Sequence, residues 1–220
     1  MLNLVVKMEN TDKFKISGLK KAYKKFMKDY PVELRKLIGN SKTVLDLACG
    51  ANSQLKWFKN NFYSVGVDIF EPSIQKSKAL SIHNEYLMMD VSEIRNKFKE
   101  NSFDCVLALD LIEHLDKEKG FKLLKDMESI ASQIIIIFTP NGYLPQGEIE
   151  GNPWHKHKSG WTIEEMQKNN YNVIGIGGWK TLRKGPGKMR LKPHLFWKII
   201  SDFSQFFVRN HPKHAFQLLC

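Results

Sequence analysis

The stretch Val44-Leu-Asp-Leu-Ala-Cys-Gly50 decides the fold that we expect for this chain of 220 residues. Its apolar residues follow one another with almost no alternation, which is typical of a strand buried on both faces of a sheet. A glycine then turns the chain, and a helix is predicted over 54–60. A buried strand that leads through a tight turn into a helix is the first unit of an open α/β fold, in which ligands bind at the carboxyl ends of the strands.

The same alternation of strands and helices continues along the chain. Two amphipathic helices are predicted before the first strand, over 17–30 and 32–38. Pro72 is well placed to open a helix, and Thr162 with Glu165 forms a capping box at the start of another. Strands that alternate with helices indicate a parallel sheet covered on both faces. The predicted strands span 43–48, 63–69, 85–91, 103–109, 134–139, 171–176 and 215–219.

Positive charge is concentrated in the two flanks of the chain. The formal net charge is +11, with 11 Lys/Arg against 4 acids over 1–42 and 9 against 1 over 180–220. Such flanks can steer an anionic partner, such as nucleic acid, a phospholipid surface or a phosphorylated substrate, or they can be solvated lysines on surface helices.

Cysteine usage and hydropathy predict the compartment. The 3 cysteines form no Cys-x-x-Cys pair, so neither a disulfide framework nor a zinc site is predicted. No apolar stretch reaches the ~20 residues that a membrane-spanning helix needs. We therefore expect a cytoplasmic protein.

Acidic residues accompany the ends of three successive predicted strands. Asp46 lies in the first, Asp68 ends the second and Asp90 ends the third. An acid at the end of the second strand can accept hydrogen bonds from both hydroxyls of a ribose. Because the strands are parallel, the three carboxylates would form one polar rim for an adenosine-like ligand.

The glycine pattern distinguishes between adenosine-containing cofactors. A dinucleotide needs Gly-x-Gly-x-x-Gly, because its pyrophosphate lies against the backbone and a helix N-terminus. The corresponding run, Ala48-Cys-Gly-Ala-Asn-Ser53, has one glycine, and Asp46 would place negative charge near any phosphate. S-adenosylmethionine has no phosphate and carries an ammonium and a sulfonium, so an acidic loop suits it.

Four segments together resemble motifs of the class I S-adenosylmethionine-dependent methyltransferases, in the branch that acts on small molecules and saccharides. They are Val44–Gly50, Gly66-Val-Asp-Ile69, Met89-Asp-Val91 and Asp104-Cys-Val-Leu-Ala-Leu-Asp-Leu-Ile-Glu-His-Leu115. The resemblance implies an α/β fold, a three-layer Rossmann-like sandwich around a mostly parallel seven-stranded sheet. The implied strand order is 3-2-1-4-5-7-6, with the seventh strand antiparallel and with N-terminal helices beside the sheet.

The resemblance also implies S-adenosylmethionine as the cofactor and assigns its contacts. Asp46 and Gly50 would flank the methionine part, Asp68 the ribose, and Asp90 with Val91 the adenine. Neighbouring positions complete the predicted cofactor site: Ala48, Cys49, Ile69 and Leu109.

We expect one methyltransferase domain over 1–220, in three parts. Residues 1–42 would form an N-terminal helical cap and 43–140 the cofactor-binding core. Residues 141–220 would supply the acceptor-side loop and the last strands and helices. The irregular stretch over 141–161 is long for a compact domain, and such length is usually functional.

The methyl acceptor is predicted to bind above the ends of the fourth and fifth strands, beneath this long loop. His114 and His157 are candidate catalytic bases, although each can equally anchor a loop by hydrogen bonds. No metal is predicted, because His155 and His157 have no third ligand at a suitable spacing. Substrate contacts are predicted for Asn141, Tyr143, Trp154, His155 and Trp161, with loop anchoring as the alternative for the histidine and the tryptophans.

The predicted reaction is methyl transfer from S-adenosylmethionine to a small-molecule or saccharide acceptor by in-line displacement. The basic flanks leave an RNA methyltransferase open, although Asp110-Leu-Ile-Glu113 stands where amine-methylating nucleic-acid enzymes carry Asn/Asp-Pro-Pro-Tyr/Phe. A non-catalytic module that binds the cofactor is a third interpretation. The helical stripe from Phe196 to Phe207 either packs on the sheet or makes a peripheral membrane contact.

Overall fold

The computed structural model describes residues 30–58, 61–149, 151–185 and 187–220. The helix predicted over 17–30 lies outside these residues except for Tyr30, as does most of the predicted N-terminal cap. Within the described ranges, no helix is both long and apolar enough to cross a membrane.

A seven-stranded sheet forms the centre of the molecule, and its order is β3-β2-β1-β4-β5-β7-β6. The last strand pairs antiparallel with both β5 and β6, and the other neighbours pair in parallel. The predicted α/β sandwich and its strand order are therefore confirmed. The strands are β1 Thr43–Leu47, β2 Tyr63–Asp68, β3 Glu85–Met88, β4 Phe103–Leu109, β5 Ala131–Pro140, β6 Ile174–Trp179 and β7 Ala215–Leu219.

Two hydrophobic clusters, one on each face, hold helices against this sheet. Alternate residues of β1 point into different clusters, Val44 into one and Leu45 into the other, as the period of a strand requires. The helices are α1 Tyr30–Ile38, α2 Glu71–Ala79, α3 Ile94–Lys97, α4 Lys117–Ile130, α5 Ile163–Lys168 and α6 His194–Val208.

Several predicted elements have different bounds in the structure, and β5 begins at Ala131 instead of residue 134. The helix predicted over 54–60 is a 3-10 turn at Gln54–Trp57. The third strand stops at Met88, because Asp90 accepts a hydrogen bond from the backbone of Ser92 and starts a turn. The sixth strand begins at residue 174 and not 171, since the backbone N–H of Tyr171 still donates to the end of α5.

Glycines in β6 let α6 pack unusually close to the sheet. A Cβ on Gly175 would lie 2.1 Å from the carbonyl oxygen of Val208. The side chain of Gln205, on α6, makes two hydrogen bonds to the backbone of β6. It donates to the carbonyl of Gly175 at 2.9 Å and accepts from the N–H of Gly178 at 3.1 Å. The face of α6 that meets the sheet is therefore largely polar.

The apolar stripe of α6 consequently points away from the sheet. Of the two interpretations of this stripe, packing on β6 does not fit the structure, because Ser201, Gln205 and Val208 occupy that side. The exposed fractions of Leu195 and Phe203 are 73% and 53%. The exposed large side chains of this helix are Leu195, Phe196, Ile199, Phe203, Phe206 and Phe207.

Candidate active site

The turn after β1 is bound to the neighbouring strand by backbone hydrogen bonds. Ala48 and Gly50 take left-handed conformations, with φ of 53° and 61°. The N–H of Cys49 donates to the carbonyl of Val67 at 2.9 Å, and the N–H of Gly50 donates to Asp68 Oδ2 at 2.8 Å. The turn and the carboxylate that ends β2 are thus fixed relative to each other.

Asp46 is buried beneath this turn. Its Oδ2 accepts a hydrogen bond of 2.5 Å from the Ser53 hydroxyl, which itself accepts from the backbone of Leu55. The buried ring of His83 places Nε2 3.4 Å from the same oxygen, with no hydrogen bond to either ring nitrogen among the described residues. Burial raises the pKa of Asp46 to about 7 and lowers the pKa of His83 to about 4.

A cavity of about 380 Å³ runs along the carboxyl ends of β1, β2 and β3. Asp68 lies in its wall, and each of its oxygens accepts one backbone N–H, from Gly50 and from Phe70. Asp90 and Val91 line the part of the wall that follows β3. The volume is in the range of small-ligand pockets, and two carboxylates are the principal polar groups at the strand ends.

A second cavity, of about 480 Å³, lies over the ends of β4 and β5 and under the long loop. The two cavities share part of their walls, at Ala48, Gly50, Asp110, His114 and His155. A molecule bound in the first cavity can therefore reach one bound in the second.

The turn after β4 supplies the acidic floor of this junction. Asp110 takes a left-handed conformation, with φ of 52°, and its N–H donates to the carbonyl of Phe138 at 2.8 Å. Glu113 is buried, and its Oε2 accepts a hydrogen bond of 3.0 Å from the Thr139 hydroxyl. Burial and the nearby charge of Asp110 raise the pKa of Glu113.

Two histidines face each other at the same junction. The ring centroids of His114 and His157 are 4.7 Å apart. Each Nδ1 lies against a backbone carbonyl, that of Lys156 at 3.3 Å and that of Leu144 at 2.6 Å. Because a carbonyl only accepts, these contacts favour the tautomer with the proton on Nδ1 and a lone pair on Nε2. Burial lowers the pKa of both rings, that of His114 to about 4.

Comparison with known proteins identifies the core that builds this site. The family model described as "Methyltransferase domain" matches residues 45–144, from β1 through the turn after β5. The matched range contains strands β1 and β2, which carry Asp46 and Asp68, and the turn after β4. Over this range the chain matches the methyltransferase model, and its strand order is that of the class I S-adenosylmethionine-dependent methyltransferases. S-adenosylmethionine is accordingly its cofactor and methyl transfer its reaction.

Solved structures share the fold of this methyltransferase. A SAM-dependent methyltransferase from Archaeoglobus fulgidus is 20% identical, with 86% of this chain and 91% of that chain covered and a TM-score of 0.55. A 1,6-didemethyltoxoflavin-N1-methyltransferase from Burkholderia thailandensis is 17% identical over 66% of each chain, with a TM-score of 0.51. The PH0226 protein from Pyrococcus horikoshii OT3 is 27% identical over half of each chain, with a TM-score of 0.45. No curated protein matches the sequence.

The structure divides the predicted cofactor residues of the methyltransferase between the two cavities. Ala48 and Gly50 line both cavities. Asp68, Ile69, Asp90 and Val91 line the first, and Asp46, Cys49 and Leu109 line the second.

Two predicted substrate residues lie outside the walls of both cavities. The Asn141 side chain donates to the carbonyls of Pro212 and Ala215, at 3.1 and 2.9 Å, and so holds the turn before β7. Tyr143 is 61% exposed.

Trp161 is fully buried and belongs to the core. Its Nε1 donates to the hydroxyl of Ser159 at 3.1 Å, and the Lys117 ammonium lies 3.7 Å from the centre of its ring. These contacts fit the alternative role given for Trp161 in the sequence analysis, which is to anchor the long loop. Trp154 lines the first cavity and His155 both.

Three further wall residues were not selected from the sequence. Glu113 follows a predicted buried strand and directly precedes the candidate base His114. This position in the sequence is the signal by which Glu113 could have been selected as a site residue. Tyr30 and Arg183 come to the second cavity from α1 and from the region after β6. Their approach depends on packing between distant segments, for which the sequence carries no local pattern.

Proposed function

We propose that this methyltransferase transfers the methyl group to a small-molecule or saccharide acceptor held in the second cavity. The observation that supports this proposal is the shared wall of the two cavities at Gly50, Asp110 and His114. A methyl group presented at this wall faces the acceptor directly, as in-line displacement at a sulfonium carbon requires.

The proposed binding mode places the adenosine part of the cofactor in the first cavity. Each oxygen of Asp68 accepts one backbone N–H and keeps a second acceptor site, which supports its role on the ribose hydroxyls. Asp90 and Val91 would flank the adenine, and Asp46 with Gly50 the methionine part. In this proposal residues 43–140 bind the cofactor and residues 141–220 complete the acceptor side.

The lining of the second cavity favours a small-molecule or saccharide acceptor over RNA. Among the described residues, its walls include the carboxyl groups of Asp46, Asp110 and Glu113 and one Lys or Arg side chain, that of Arg183. An RNA site needs several cations for the phosphates. The acidic wall suits the hydroxyls or amines of a small molecule or a saccharide.

His114 and His157 remain the proposed acceptor-side residues that act on the reacting group. Both rings are held by their Nδ1 atoms, and each Nε2 has an available lone pair. A neutral imidazole of this kind can take a proton from the acceptor or coordinate a metal ion.

Transfer of label tests the acceptor class. The purified protein is incubated with methyl-labelled S-adenosylmethionine and with separate small-molecule, oligosaccharide and RNA fractions of a cell extract. We expect label in the low-mass or oligosaccharide fraction. Label that is found only in RNA and is released by ribonuclease would contradict the proposal and favour the RNA alternative.

A second proposal concerns where the acceptor is presented. The apolar stripe of α6 is exposed, and residues 180–220 carry 9 Lys/Arg against 1 acid. An apolar helix face flanked by cations is the pattern of a helix that lies on an anionic bilayer. We propose that this face contacts an anionic membrane surface and that the acceptor is linked to a lipid.

A further inference from the structure

Glu113, His114 and His157 come together in the wall of the second cavity, where His114 also borders the first cavity. A long loop separates His157 from the other two along the chain. One potential ligand atom from each side chain lies within 4.8 Å of the other two. Around a metal ion at roughly 2.1 Å, such atoms sit roughly 3.0–3.4 Å apart, so a small side-chain movement would close the set. No third ligand lies near His155 and His157 along the chain, but the fold brings Glu113 and His114 to His157 from a distant segment.

The three side chains are oriented by other groups and not by one another. Thr139 donates to Glu113, and the carbonyls of Lys156 and Leu144 hold the Nδ1 atoms of the two histidines. No hydrogen bond joins the three side chains among the described residues. Protein metal sites commonly have this outer shell, because it fixes the tautomer of each histidine and leaves the other nitrogen for the ion.

The backbone makes the same arrangement rigid. The carbonyl of Glu113 accepts hydrogen bonds from the N–H groups of Lys158 and Ser159, at 2.8 and 3.0 Å. The Ser159 hydroxyl also donates to the carbonyl of Ile112. The loop that carries His157 is thereby fastened to the turn that carries the other two residues.

We propose that Glu113, His114 and His157 bind one divalent transition-metal ion in the second cavity, next to the wall that it shares with the first. Two imidazole nitrogens and one carboxylate oxygen suit Zn²⁺, Mn²⁺, Fe²⁺ or Co²⁺ better than Mg²⁺ or Ca²⁺, which prefer oxygen ligands alone. Three protein ligands leave coordination positions open for a small molecule, and the three residues all line the second cavity.

The ion would act on the acceptor, and this step rests on the proposed function. A hydroxyl of the acceptor that occupies an open position loses its proton more readily than in water. Its oxygen lone pair forms the new C–O bond, and the C–S bond breaks with its electron pair on sulfur. The products are the methyl ether and S-adenosylhomocysteine, and the proton passes to Asp110 on the shared wall.

Metal binding is tested without acceptor or cofactor. Tag-free protein is dialysed against a chelator and titrated with Co²⁺, and the visible absorption bands of the bound ion are recorded. We expect one Co²⁺ per chain, displaced by Zn²⁺. Both His157→Ala and Glu113→Gln should weaken Co²⁺ binding at least tenfold.

A neighbouring histidine provides the matched control. The His155 ring lies 6.2 Å from that of His114 but is not one of the three grouped ligands. His155→Ala should therefore bind Co²⁺ within about twofold of the unchanged protein. Circular dichroism and S-adenosylmethionine binding establish that each variant is folded.

Two results would overturn the metal site. One is the absence of stoichiometric Co²⁺ binding by the folded protein, and the other is undiminished binding by a folded His157→Ala variant. Because neither readout requires methyl transfer, failure here is distinguishable from failure of the proposed acceptor class.

Discussion

At the scale of single residues, Asp68 carries the cofactor proposal. Its carboxylate holds the turn after β1 through Gly50 and would also bind the ribose. We expect Asp68→Ala to weaken S-adenosylmethionine binding at least tenfold, because charge-assisted hydrogen bonds are lost. Calorimetric titration measures the change, with Glu100→Ala, a substitution in an exposed ion pair with Arg95, as the control. An unchanged dissociation constant for Asp68→Ala would remove this residue from the ribose site.

His157 is the residue that tests the acceptor side. The contact of its Nδ1 with the carbonyl of Leu144 fixes the ring and leaves Nε2 for the acceptor. We therefore expect His157→Ala to lower the rate of methyl transfer at least tenfold. Cofactor affinity should change by less than about twofold, since His157 lines only the second cavity. Transfer of label and calorimetry give the two readouts. Loss of folding in this variant would show instead that the histidine serves to anchor the loop.

The shifted pKa values of Asp46 and His83 make the stability of the protein depend on pH in opposite directions. The folded-state pKa of Asp46, about 7, exceeds its ordinary value, so its contribution to stability is present at low pH and is lost as the pH rises through about 7. The folded-state pKa of His83, about 4, is below its ordinary value, so its contribution is present above about 6.5 and is lost as the pH falls toward 4. We expect His83→Gln to reduce the loss of stability between pH 6 and 4 in urea unfolding. An unchanged acid limb would contradict the burial of a neutral histidine here.

At the scale of elements, Gly120 of α4 makes room for Trp161. A Cβ at this position would lie 2.4 Å from the indole ring. We expect Gly120→Ala to lower the free energy of unfolding by about 1–3 kcal/mol, because the buried ring has to move. Urea unfolding measures this, with Gly147→Ala, where no atom lies within 4 Å, as the control. Equal stability of the two variants would mean that Trp161 does not pack against α4 as described.

The elements also show which parts of the fold a sequence can predict. β4 and β7 have the predicted bounds, because each is a short apolar run between clear breaks. Acids at strand ends are visible as local patterns, which is why Asp68 and Asp90, in the wall of the first cavity, could be selected from the sequence. Other features depend on contacts between distant segments and cannot be predicted from periodicity. These are the association of Glu113 with His157, the burial of Trp161 and the outward orientation of the apolar stripe of α6.

At the scale of the whole molecule, the basic C-terminal region and the apolar face of α6 predict surface binding. We expect the protein to float with vesicles that contain anionic lipid and not with neutral vesicles. Phe196→Ser combined with Phe203→Ser should reduce flotation, whereas Val32→Ser, at an exposed apolar site on α1, should not. Absence of flotation would contradict the membrane contact, and a stable dimer in light scattering would assign the face to a second copy of the chain.

The arrangement of two joined cavities over one sheet rests on the cofactor that fills the first. Calorimetric titration with S-adenosylmethionine, S-adenosylhomocysteine and NAD tests this most directly. We expect one site per chain for the first two ligands, with micromolar affinity. We expect no binding of NAD, because the turn after β1 has a buried carboxylate and one glycine where a pyrophosphate would lie. Failure of the folded protein to bind either methionine-derived ligand, or binding of NAD in their place, would contradict this expectation.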